Sequence, residues 1–285
     1  MKFTQFWKDD KVYLGVVFED QVIDVSAQAA MKGVSAPATM LDLIRGGDAA
    51  LKQIQTLVED AFCFADCSPA PVVTGSDKIL CIGLNYRQHA AECHLPIPPA
   101  PVLFNKFSNA LSADGDTVKL LPEYREYDYE AELVAVIGKV CKDVPKEDAL
   151  DYVFGYTCGN DLSTRDLQFA RGNQWILSKS LDGFAPIGPC VVTADCIDPN
   201  NLAISSHVNG ELHQNSNTSD MIFSVAEIIS DLSHHMTLMP GDLIFTGTPQ
   251  GVMHGYPADR KNWLKPGDHV EITIEGIGSL HTEFV

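Results

Sequence analysis

Alternating hydrophobic and polar residues near the start of the chain predict short β-strands. Each run alternates with a period of two, the spacing of a strand that buries one face. The three runs are residues 3–7, 12–18 and 22–25. Helical periodicity follows over residues 40–65, with a break near Gly46 and Gly47, because glycine weakens a helix. This first part therefore has the pattern of a small α+β module.

A segment with turn-forming residues separates this module from the rest of the chain. Residues 67–77 contain two prolines and a glycine and are interpreted as a linker. From residue 78 onward, strands, short helices and Gly/Pro turns alternate without the regular strand–helix repeat of a doubly wound sheet. We therefore predict a small N-terminal domain over residues 1–72 and a second domain over residues 73–285.

Three local patterns in the second part predict particular structures. Asn209 and Gly210 lie between strand-like arms and form the sequence of a two-residue hairpin turn. Residues 224–236 place their apolar side chains on one helical stripe. The chain closes on a pair of strands, residues 269–274 and 279–285. Together these patterns predict a β-rich α+β fold.

Composition and charge restrict the classes of partner. The chain has 285 residues, of which 45% are hydrophobic, as in a globular protein with a sizeable core. No apolar stretch has the length that spans a bilayer, and the first residues lack a signal-peptide core, so we expect a cytoplasmic protein. The formal net charge of −18 argues against nucleic acid and anionic membranes as partners. A small anionic substrate is compatible with this net charge, because a metal ion and a few Lys or Arg residues can make the potential positive at the site itself.

Three carboxylates form the first candidate site. Residues 127–138 have the pattern of a strand, so Glu130 and Glu132 face the same side, with Asp128 one step before them. Asp161 ends a second strand-like run. Neighbouring carboxylates repel each other unless a cation lies between them, and oxygen ligands suit a hard divalent cation such as Mg²⁺ or Mn²⁺. A solvated acidic strand face is the alternative that these residues leave open.

Two further groups could assist a reaction at such a metal. His89 and Glu92 lie three residues apart on a short predicted helix capped by Asn85, and a carboxylate raises the basicity of an imidazole beside it. A surface ion pair is the alternative. Lys179 lies between small residues, where its charge could stabilise an enolate or a carboxylate; the alternative is an exposed loop lysine.

Three residues are candidates for contacts with a substrate. Thr248 lies in a glycine-containing turn after a strand, where backbone N–H groups and its hydroxyl can approach an anion. Arg165 and Gln168 lie three apart on a helix that follows Asp161. Two of them also have a purely structural alternative, a simple turn for Thr248 and a structural ion pair for Arg165.

The cysteines carry no metal-site signature. The chain has eight cysteines, without a Cys-x-x-Cys pair or the spacing of zinc ligands. We therefore expect reduced thiols, several of them in apolar runs where a buried thiol acts as a small hydrophobic group.

These motifs, in this order, resemble those of the fumarylacetoacetate hydrolase family. The resemblance covers the chain from about residue 78 to its end. The matching motifs are Gly83-Leu84-Asn85-Tyr86 with His89 and Glu92, Pro101-Val102-Leu103-Phe104-Asn105-Lys106, Tyr129-Glu130-Ala131-Glu132-Leu133, Asn160-Asp161-Leu162-Ser163-Thr164-Arg165-Asp166 with Gln168, Lys179-Ser180-Leu181-Asp182, Val208-Asn209-Gly210 and Thr246-Gly247-Thr248-Pro249-Gln250-Gly251-Val252. Each motif is weak alone, whereas seven in sequence order are specific.

The resemblance implies a fold, a cofactor and an assembly. The fold is a roll of mixed β-sheets behind a small variable N-terminal domain, usually paired as a homodimer. The cofactor is Mg²⁺ or Mn²⁺, held by the carboxylates that match Glu130, Glu132 and Asp161. A mobile lid carries the pair that matches His89 and Glu92.

The resemblance also implies chemistry on a small anionic 2-oxo acid. The first expectation is a hydrolase that cleaves a C–C bond in a 2,4-dioxo acid, such as an acylpyruvate or a fumarylpyruvate-like compound. His89, supported by Glu92, would activate the attacking water, and Lys179 would stabilise the enolate that leaves. Thr248 would hold the substrate carboxylate, with Gln168 as a further contact. An oxaloacetate decarboxylase, a 2-hydroxymuconate-type isomerase and an inactive metal-binding structural or regulatory protein are the alternatives.

Overall fold

The structure, a computed structural model, describes residues 1–19, 21–60, 63–66, 68–172 and 174–285. Its β-strands are β1 (Lys2–Lys8), β2 (Lys11–Phe18), β3 (Gln21–Asp24), β4 (Ser68–Ala70), β5 (Ile79–Gly83), β6 (Val102–Lys106), β7 (Leu111–Ser112), β8 (Thr117–Val118), β9 (Tyr127–Asp128), β10 (Ala131–Ile137), β11 (Val153–Asn160), β12 (Ser163–Thr164), β13 (Ala185–Thr193), β14 (Ala203–Val208), β15 (Glu211–Asn217), β16 (Leu243–Phe245), β17 (His269–Ile274) and β18 (Gly278–Phe284). Its α-helices are α1 (Val25–Lys32), α2 (Met40–Leu57), α3 (Arg87–Glu92), α4 (Arg165–Ala170), α5 (Ile176–Lys179) and α6 (Val225–His235). Short 3₁₀ turns join several of these elements.

The three predicted N-terminal strands are present as the antiparallel meander β1–β2–β3. Helix α2 contains the predicted break, since Gly47 has the non-helical angles φ 56° and ψ −147°. The helix ends at Leu57, so its predicted extension to residue 65 was wrong, because Phe64 instead pairs with Ile23 of β3. Residues 61 and 62 of that predicted helix lie outside the described residues. Helix α1 was not predicted.

One large sheet runs through both parts of the chain. Its strand order is β3-β2-β1-β13-β11-β10-β16-β5-β6. Strand β1 pairs with β13, with Lys2 opposite Val192, and β4 of the predicted linker pairs with β1. The N-terminal meander therefore extends the main sheet, and the division at residues 72 and 73 stays a prediction from sequence pattern.

A second sheet, in the order β15-β14-β17-β18-β8, packs against the first and completes the roll. The predicted hairpin turn joins β14 to β15, with positive φ at Asn209 (52°) and Gly210 (83°), as a two-residue turn of this type requires. Strands β10 and β11 are buried along their whole length. Antiparallel and parallel pairs occur together, for example β16 with β5 in parallel, which confirms the β-rich α+β prediction.

Two predictions about single features also hold. The described cysteines have free thiols, as predicted, while Cys67 lies outside the described residues. Across the described part of the chain, every helix is too short or too polar to traverse a bilayer.

Helix α6 begins with a complete capping arrangement. The Ser224 hydroxyl accepts a hydrogen bond from the Glu227 backbone N–H (3.3 Å), and the Glu227 carboxylate accepts one from the Ser224 N–H (2.8 Å). Hydrogen bonds from Lys146 and Ser224 lower the pKa of Glu227 to about 2. The apolar stripe that the sequence predicts faces the core, with Ile228 and Leu232 fully buried.

Replacing Ser224 with alanine is expected to lower the free energy of unfolding by about 1 kcal/mol, because the first turn loses its side-chain acceptor. Urea unfolding followed by circular dichroism measures the change. Ser35→Ala, at an exposed serine outside the helices, is the matched control and should change stability by less than about 0.5 kcal/mol. Equal losses in the two variants would contradict the capping role.

Candidate active site

The pairing of β10 with β11 places the three predicted carboxylates together. Ala131 lies opposite Asn160, and the next residues outward are joined by a hydrogen bond from the Asp161 N–H to the Glu130 carbonyl (3.0 Å). Glu130, Glu132 and Asp161 are buried, and one carboxylate oxygen from each lies within 4.8 Å of the others. The structure therefore excludes the alternative of a solvated acidic strand face.

The strand predicted over residues 127–138 is interrupted. Strand β9 ends at Asp128 and pairs with β12 in a separate two-stranded sheet, whereas β10 starts at Ala131. The Asp128 carboxylate accepts hydrogen bonds from three backbone N–H groups, those of Tyr129, Met253 and His254. These bonds occupy the Asp128 carboxylate, which is not one of the three clustered carboxylates.

Lys179 is buried and contacts two of the three carboxylates. Its ammonium group donates to Glu130 Oε2 (2.7 Å) and to Asp161 Oδ2 (2.9 Å). Burial alone disfavours the charged amine, but Asp161 and Glu130 raise the pKa of Lys179 above its ordinary value. The alternative of an exposed loop lysine is therefore wrong, because α5 ends inside the cavity wall at Lys179.

A second lysine, Lys106 at the end of β6, was not among the predicted site residues. Its Nζ lies 2.6 Å from Asp161 Oδ1 and donates to the carbonyls of Leu162 (3.1 Å) and Phe184 (2.6 Å). Burial lowers the pKa of Lys106. A lysine at the end of an apolar strand is the sequence signal that could have identified it, because a buried ammonium group needs a partner of opposite charge.

Arg165 connects the carboxylates to Gln168. It lies at the start of α4 and donates through Nε to Asp128 Oδ2 (2.9 Å) and through a terminal nitrogen to Gln168 Oε1 (3.0 Å). Another terminal nitrogen pairs with Glu130. Its guanidinium thus fixes two acidic side chains and one amide, and the pKa of Glu130 is held low despite burial because Lys179 and Arg165 lie beside it.

Glu132 differs from its neighbours because it has no cationic partner among the described residues. Its Oε2 accepts a hydrogen bond from the Gly247 N–H (2.8 Å). Gly247 has φ 101°, and a Cβ there would lie 2.6 Å from the Cβ of Asn85, so only glycine suits this position. Burial, together with Asp161 and Glu130, raises the pKa of Glu132 well above its ordinary value.

The electrostatics of this cluster fit a bound divalent cation. With every group ionised, the ion-paired side chains of this cluster together with Glu132 are four carboxylates and three cationic groups, which leaves one net negative charge; they are Asp128, Glu130, Glu132, Asp161, Lys106, Arg165 and Lys179. A divalent cation beside Glu132 would neutralise the charge that lacks a partner and leave the cluster with one net positive charge. The donors are all carboxylate oxygens, the ligands that Mg²⁺ and Mn²⁺ prefer.

His89 and Glu92 form the predicted pair on α3. His89 Nδ1 lies 3.2 Å from Glu92 Oε2, and Glu92 accepts the Gly251 N–H at 3.0 and 3.2 Å. Burial lowers the basicity of His89, but hydrogen bonds to Cys93 and Glu92 outweigh it and raise its pKa to about 9. His89 is buried, so the alternative of a surface ion pair is wrong.

Asn85 does not cap α3 as predicted. The N-cap residue is Tyr86, which makes no side-chain capping bond. The Asn85 side chain instead donates to the carbonyls of Phe223 (2.9 Å) and Thr246 (2.7 Å) and accepts the Phe223 N–H. It therefore joins the loop before α3 to two distant segments of the chain.

A cavity of about 300 Å³ brings these groups together. Among the predicted site residues, its wall contains His89, Glu130, Glu132, Arg165, Gln168, Lys179 and Thr248. Asp161 and Glu92 lie behind this wall, where Asp161 is hydrogen-bonded to Lys179 and Glu92 to His89. Thr248 Oγ1 accepts a hydrogen bond from Gln214 (2.8 Å), which fixes the position of the hydroxyl.

Several cavity residues were not predicted from the sequence. They are apolar, aromatic or thiol side chains on different elements, among them Cys93, Phe104, Phe169, Trp175 and His254. The rings of Phe104 and Trp175 meet edge to face at 5.5 Å, and those of Phe169 and His254 lie 5.2 Å apart. They give the cavity an apolar and aromatic part of its wall, and the Lys179 ammonium group lies 5.3 Å from the centre of the Phe104 ring.

The family of this chain follows from sequence comparison. The family model described as "Fumarylacetoacetate (FAA) hydrolase C-terminal" matches residues 78–285. The mitochondrial oxaloacetate tautomerase fahd2 of Xenopus laevis is 38% identical over 294 residues, covering 100% of this chain and 90% of that protein. The fumarylacetoacetate hydrolase domain-containing protein 2 homolog of Dictyostelium discoideum is 41% identical over 280 residues, covering 94% of this chain and 90% of its own length.

Solved structures share the fold over the whole chain. The maleylpyruvate hydrolase of Sphingobium sp. SYK-6, in complex with manganese(II) and pyruvate, has a TM-score of 0.81 and 32% identity, covering 100% of this chain and 99% of that one. A fumarylacetoacetate hydrolase from Exiguobacterium antarcticum has a TM-score of 0.84 and 33% identity with the same coverage. The match of one family model to residues 78–285 and the identity across nearly the full chain show that this protein belongs to the fumarylacetoacetate hydrolase family.

Proposed function

We propose that this protein is a metal-dependent enzyme that interconverts the keto and enol forms of oxaloacetate. The observation that carries the proposal is the meeting of two groups at one cavity: a histidine–carboxylate pair, His89 and Glu92, and a carboxylate cluster whose net negative charge a divalent cation would balance. Keto–enol exchange needs an acid–base group beside the carbon and positive charge beside the oxygen. The cavity offers both.

The substrate class is supported by charge, size and similarity. With a divalent cation bound, the cluster would carry one net positive charge and attract a small carboxylate. A cavity of about 300 Å³ suits a compound of a few carbon atoms. Relatives of this chain that are 38 to 41% identical to it include proteins named as oxaloacetate tautomerases. The solved structures named as hydrolases that are described above are 32% and 33% identical to it.

The metal in this proposal is Mg²⁺ or Mn²⁺, held by Glu130, Glu132 and Asp161. When bound, the cation supplies Lewis acidity that lowers the cost of negative charge on the 2-oxo oxygen. The manganese in the Sphingobium structure supports this class of metal, and the donor set accepts either ion.

Side chains of this protein would transfer the proton and stabilise the negative charge of the enolate. His89 would take a proton from the carbon next to the 2-oxo group, and the electron pair of that C–H bond would form the C=C bond of the enol. Glu92 would stabilise the imidazolium, which would then return the proton to the oxygen. Lys179 lies in the cavity wall, and two of its three N–H groups are bonded to carboxylates. Its fixed positive charge would stabilise the negative charge of the developing enolate.

The remaining predicted contacts would orient the substrate. Thr248 and Gln168 line the same cavity and offer neutral hydrogen-bonding groups for its carboxylates. Arg165 is already bonded to Asp128, Glu130 and Gln168, so we assign it mainly to positioning Glu130 and Gln168. The sequence suggested that Arg165 contacts the substrate, and we now propose that it acts on the substrate through these two side chains.

Hydrolysis of a C–C bond in a 2,4-dioxo acid is the second candidate. A histidine supported by a carboxylate, as His89 is by Glu92, can take a proton from water. The maleylpyruvate hydrolase from Sphingobium also shares the fold over the whole chain. Decarboxylation of oxaloacetate and isomerisation of a 2-hydroxymuconate-type acid would use the same cluster. A purely structural role is the weakest alternative, because a buried base, a buried lysine and an accessible cavity have no structural purpose together.

Three assays separate the tautomerase, the decarboxylase and the hydrolase. Purified protein is supplied with Mg²⁺ or Mn²⁺ or with EDTA, and tested for ketonisation of enol-oxaloacetate by ultraviolet absorbance, for pyruvate release from oxaloacetate, and for pyruvate release from an acylpyruvate. We expect metal-dependent ketonisation to be the fastest reaction. Pyruvate release at a higher kcat/KM from the acylpyruvate would replace the tautomerase by the hydrolase, and from oxaloacetate by the decarboxylase. No metal-dependent turnover in any assay would refute all three.

Assembly and location are also proposals. We propose a homodimer, by family resemblance, which sedimentation velocity would test. We retain the cytoplasm as the proposed location of this chain; the Xenopus relative is named as mitochondrial, so imaging of the tagged protein in its own cell decides between the two.

The lid is predicted to become more protected when a substrate analogue binds. Helix α3 is docked in this structure, since Arg87 donates to the Asp220 carbonyl (3.0 Å) and the Gln88 N–H to the Asp220 carboxylate (3.1 Å). After it, Pro96, Pro98 and Pro99 prevent regular structure. Hydrogen exchange in residues 85–97 should slow several-fold with Mg²⁺ and oxalate, whereas exchange in β10 should not change. Equal protection of residues 85–97 with and without oxalate would contradict a mobile lid.

A further inference from the structure

A thiol completes a second group of possible metal ligands on α3. Cys93 follows directly after Glu92, and its Sγ lies 3.9 Å from His89 Nδ1. His89 Nδ1 lies 3.2 Å from Glu92 Oε2, and one ligand atom from each of the three residues lies within 4.8 Å of the others. This nitrogen, oxygen and sulfur set is separate from the all-oxygen set of Glu130, Glu132 and Asp161.

The spacing of these residues explains why they converge. Residues three and four positions apart lie on the same face of a helix, so the side chains of His89, Glu92 and Cys93 point to one side. The Cys93 N–H donates to the His89 carbonyl (3.0 Å), which continues the helical turn through Cys93. The helix therefore presents the three ligands in a fixed arrangement.

The distances suit a tetrahedral ion of the zinc class. With metal–ligand bonds of about 2.0 to 2.3 Å, neighbouring ligand atoms of a tetrahedral zinc site lie about 3.3 to 3.7 Å apart. The two shorter separations here, 3.2 and 3.9 Å, need shifts of only a few tenths of an ångström. Imidazole, thiolate and carboxylate together favour Zn²⁺ over Mg²⁺, because a thiolate is a poor ligand for a hard cation.

The site is accessible from the cavity. His89 and Cys93 both line it, and the side chain of Glu92 is 20% exposed. An ion that enters the cavity can therefore reach His89 and Cys93 directly, with Glu92 hydrogen-bonded to His89 behind them, and the cavity has space for a water molecule as the fourth ligand.

We propose that His89, Glu92 and Cys93 form a second metal site that binds Zn²⁺ and inhibits the enzyme. A zinc ion on Nδ1 of His89 would replace the hydrogen bond to Glu92 and withdraw electron density from the imidazole. His89 would then be a weaker base. The inhibitory effect rests on the proposed function, whereas the binding of the ion does not.

Binding is tested without any substrate. Purified protein with its first site filled by excess Mg²⁺ is titrated with Co²⁺, a spectroscopic substitute for Zn²⁺ whose bond to a thiolate gives an intense charge-transfer absorption in the near ultraviolet. We expect this band to appear with one equivalent of Co²⁺ and to be displaced by Zn²⁺. Cys93→Ser should abolish the band, and Cys196→Ser, at an exposed cysteine outside the cavity, should leave it unchanged. A band that persists in Cys93→Ser, or no band in the wild type, would overturn the proposal.

Inhibition is then measured by titrating Zn²⁺ at several Mg²⁺ concentrations, with each variant referred to its own zinc-free rate. We expect the zinc concentration for half inhibition to rise at least tenfold in Cys93→Ser and to be nearly independent of Mg²⁺. A different result would overturn the inhibitory role: the zinc concentration for half inhibition rises in proportion to the Mg²⁺ concentration and is unchanged in Cys93→Ser. Zinc would then act at Glu130, Glu132 and Asp161. If the protein turns over none of the tested substrates, the proposed function fails while the cobalt band still decides the site.

Discussion

Replacing Glu132 with alanine is expected to abolish both the binding of Mg²⁺ or Mn²⁺ and turnover. Glu132 is the carboxylate of this cluster that has no ion pair to a cation in the described part of the chain, so its charge is the one that the bound ion would balance. Isothermal titration calorimetry measures the loss of binding directly. Glu283→Ala, at an exposed glutamate on β18, is the matched control and should retain full metal affinity.

The same variant should not unfold the protein. A buried carboxylate whose pKa is raised by burial and by two neighbouring acids destabilises the metal-free fold, so removing it should leave the melting temperature unchanged or higher. Mg²⁺ at one hundred times its Kd should stabilise the wild type by about 2.7 kcal/mol and Glu132→Ala by almost nothing. An unchanged Mg²⁺ affinity in Glu132→Ala would refute the assignment of the metal site.

The part of the site that could be predicted from sequence consists of short-range patterns. Alternation along a strand places Glu130 and Glu132 on one side, and helical spacing places His89 beside Glu92. Both rules act over a few residues and do not depend on the rest of the fold. The order of the motifs along the chain then supplied the family, and with it the mixed β-sheet roll.

The long-range partners could not be predicted in this way. Glu132 bonds to the backbone of Gly247, 115 positions away, and Lys106 reaches Asp161 across the sheet. Neither pairing follows from local periodicity, because both depend on which strands become neighbours. The same reason explains the wrong role for Asn85, whose amide finds backbone partners near residues 223 and 246 instead of capping its own helix.

Local rules also failed where a side chain competes with the strand. The pattern over residues 127–138 is strand-like throughout, but the Asp128 carboxylate binds three backbone N–H groups and Arg165. The strand divides into β9 and β10 at this point, and side-chain to backbone bonds of this kind compete with strand pairing.

Replacing His89 with alanine is expected to lower the rate of enol-oxaloacetate ketonisation by about two to four orders of magnitude, the usual effect of removing a general acid–base group. His89 is not among the proposed Mg²⁺ ligands, so the affinity for Mg²⁺ should not change. Stopped-flow absorbance gives the rate, and calorimetry gives the affinity. His235→Ala, at a histidine exposed on α6, is the matched control and should change neither.

A comparison of substrates makes this variant a test of mechanism. Hydrolysis of an acylpyruvate needs a base to activate water, so His89→Ala should lower that rate by a similar factor if the protein also hydrolyses such compounds. Decarboxylation of oxaloacetate needs no proton removal before the C–C bond breaks, and should therefore suffer less. Equal losses on all three reactions would mean that His89 serves binding or lid closure. A loss confined to the acylpyruvate would make water activation its role and would put the hydrolase in the place of the tautomerase.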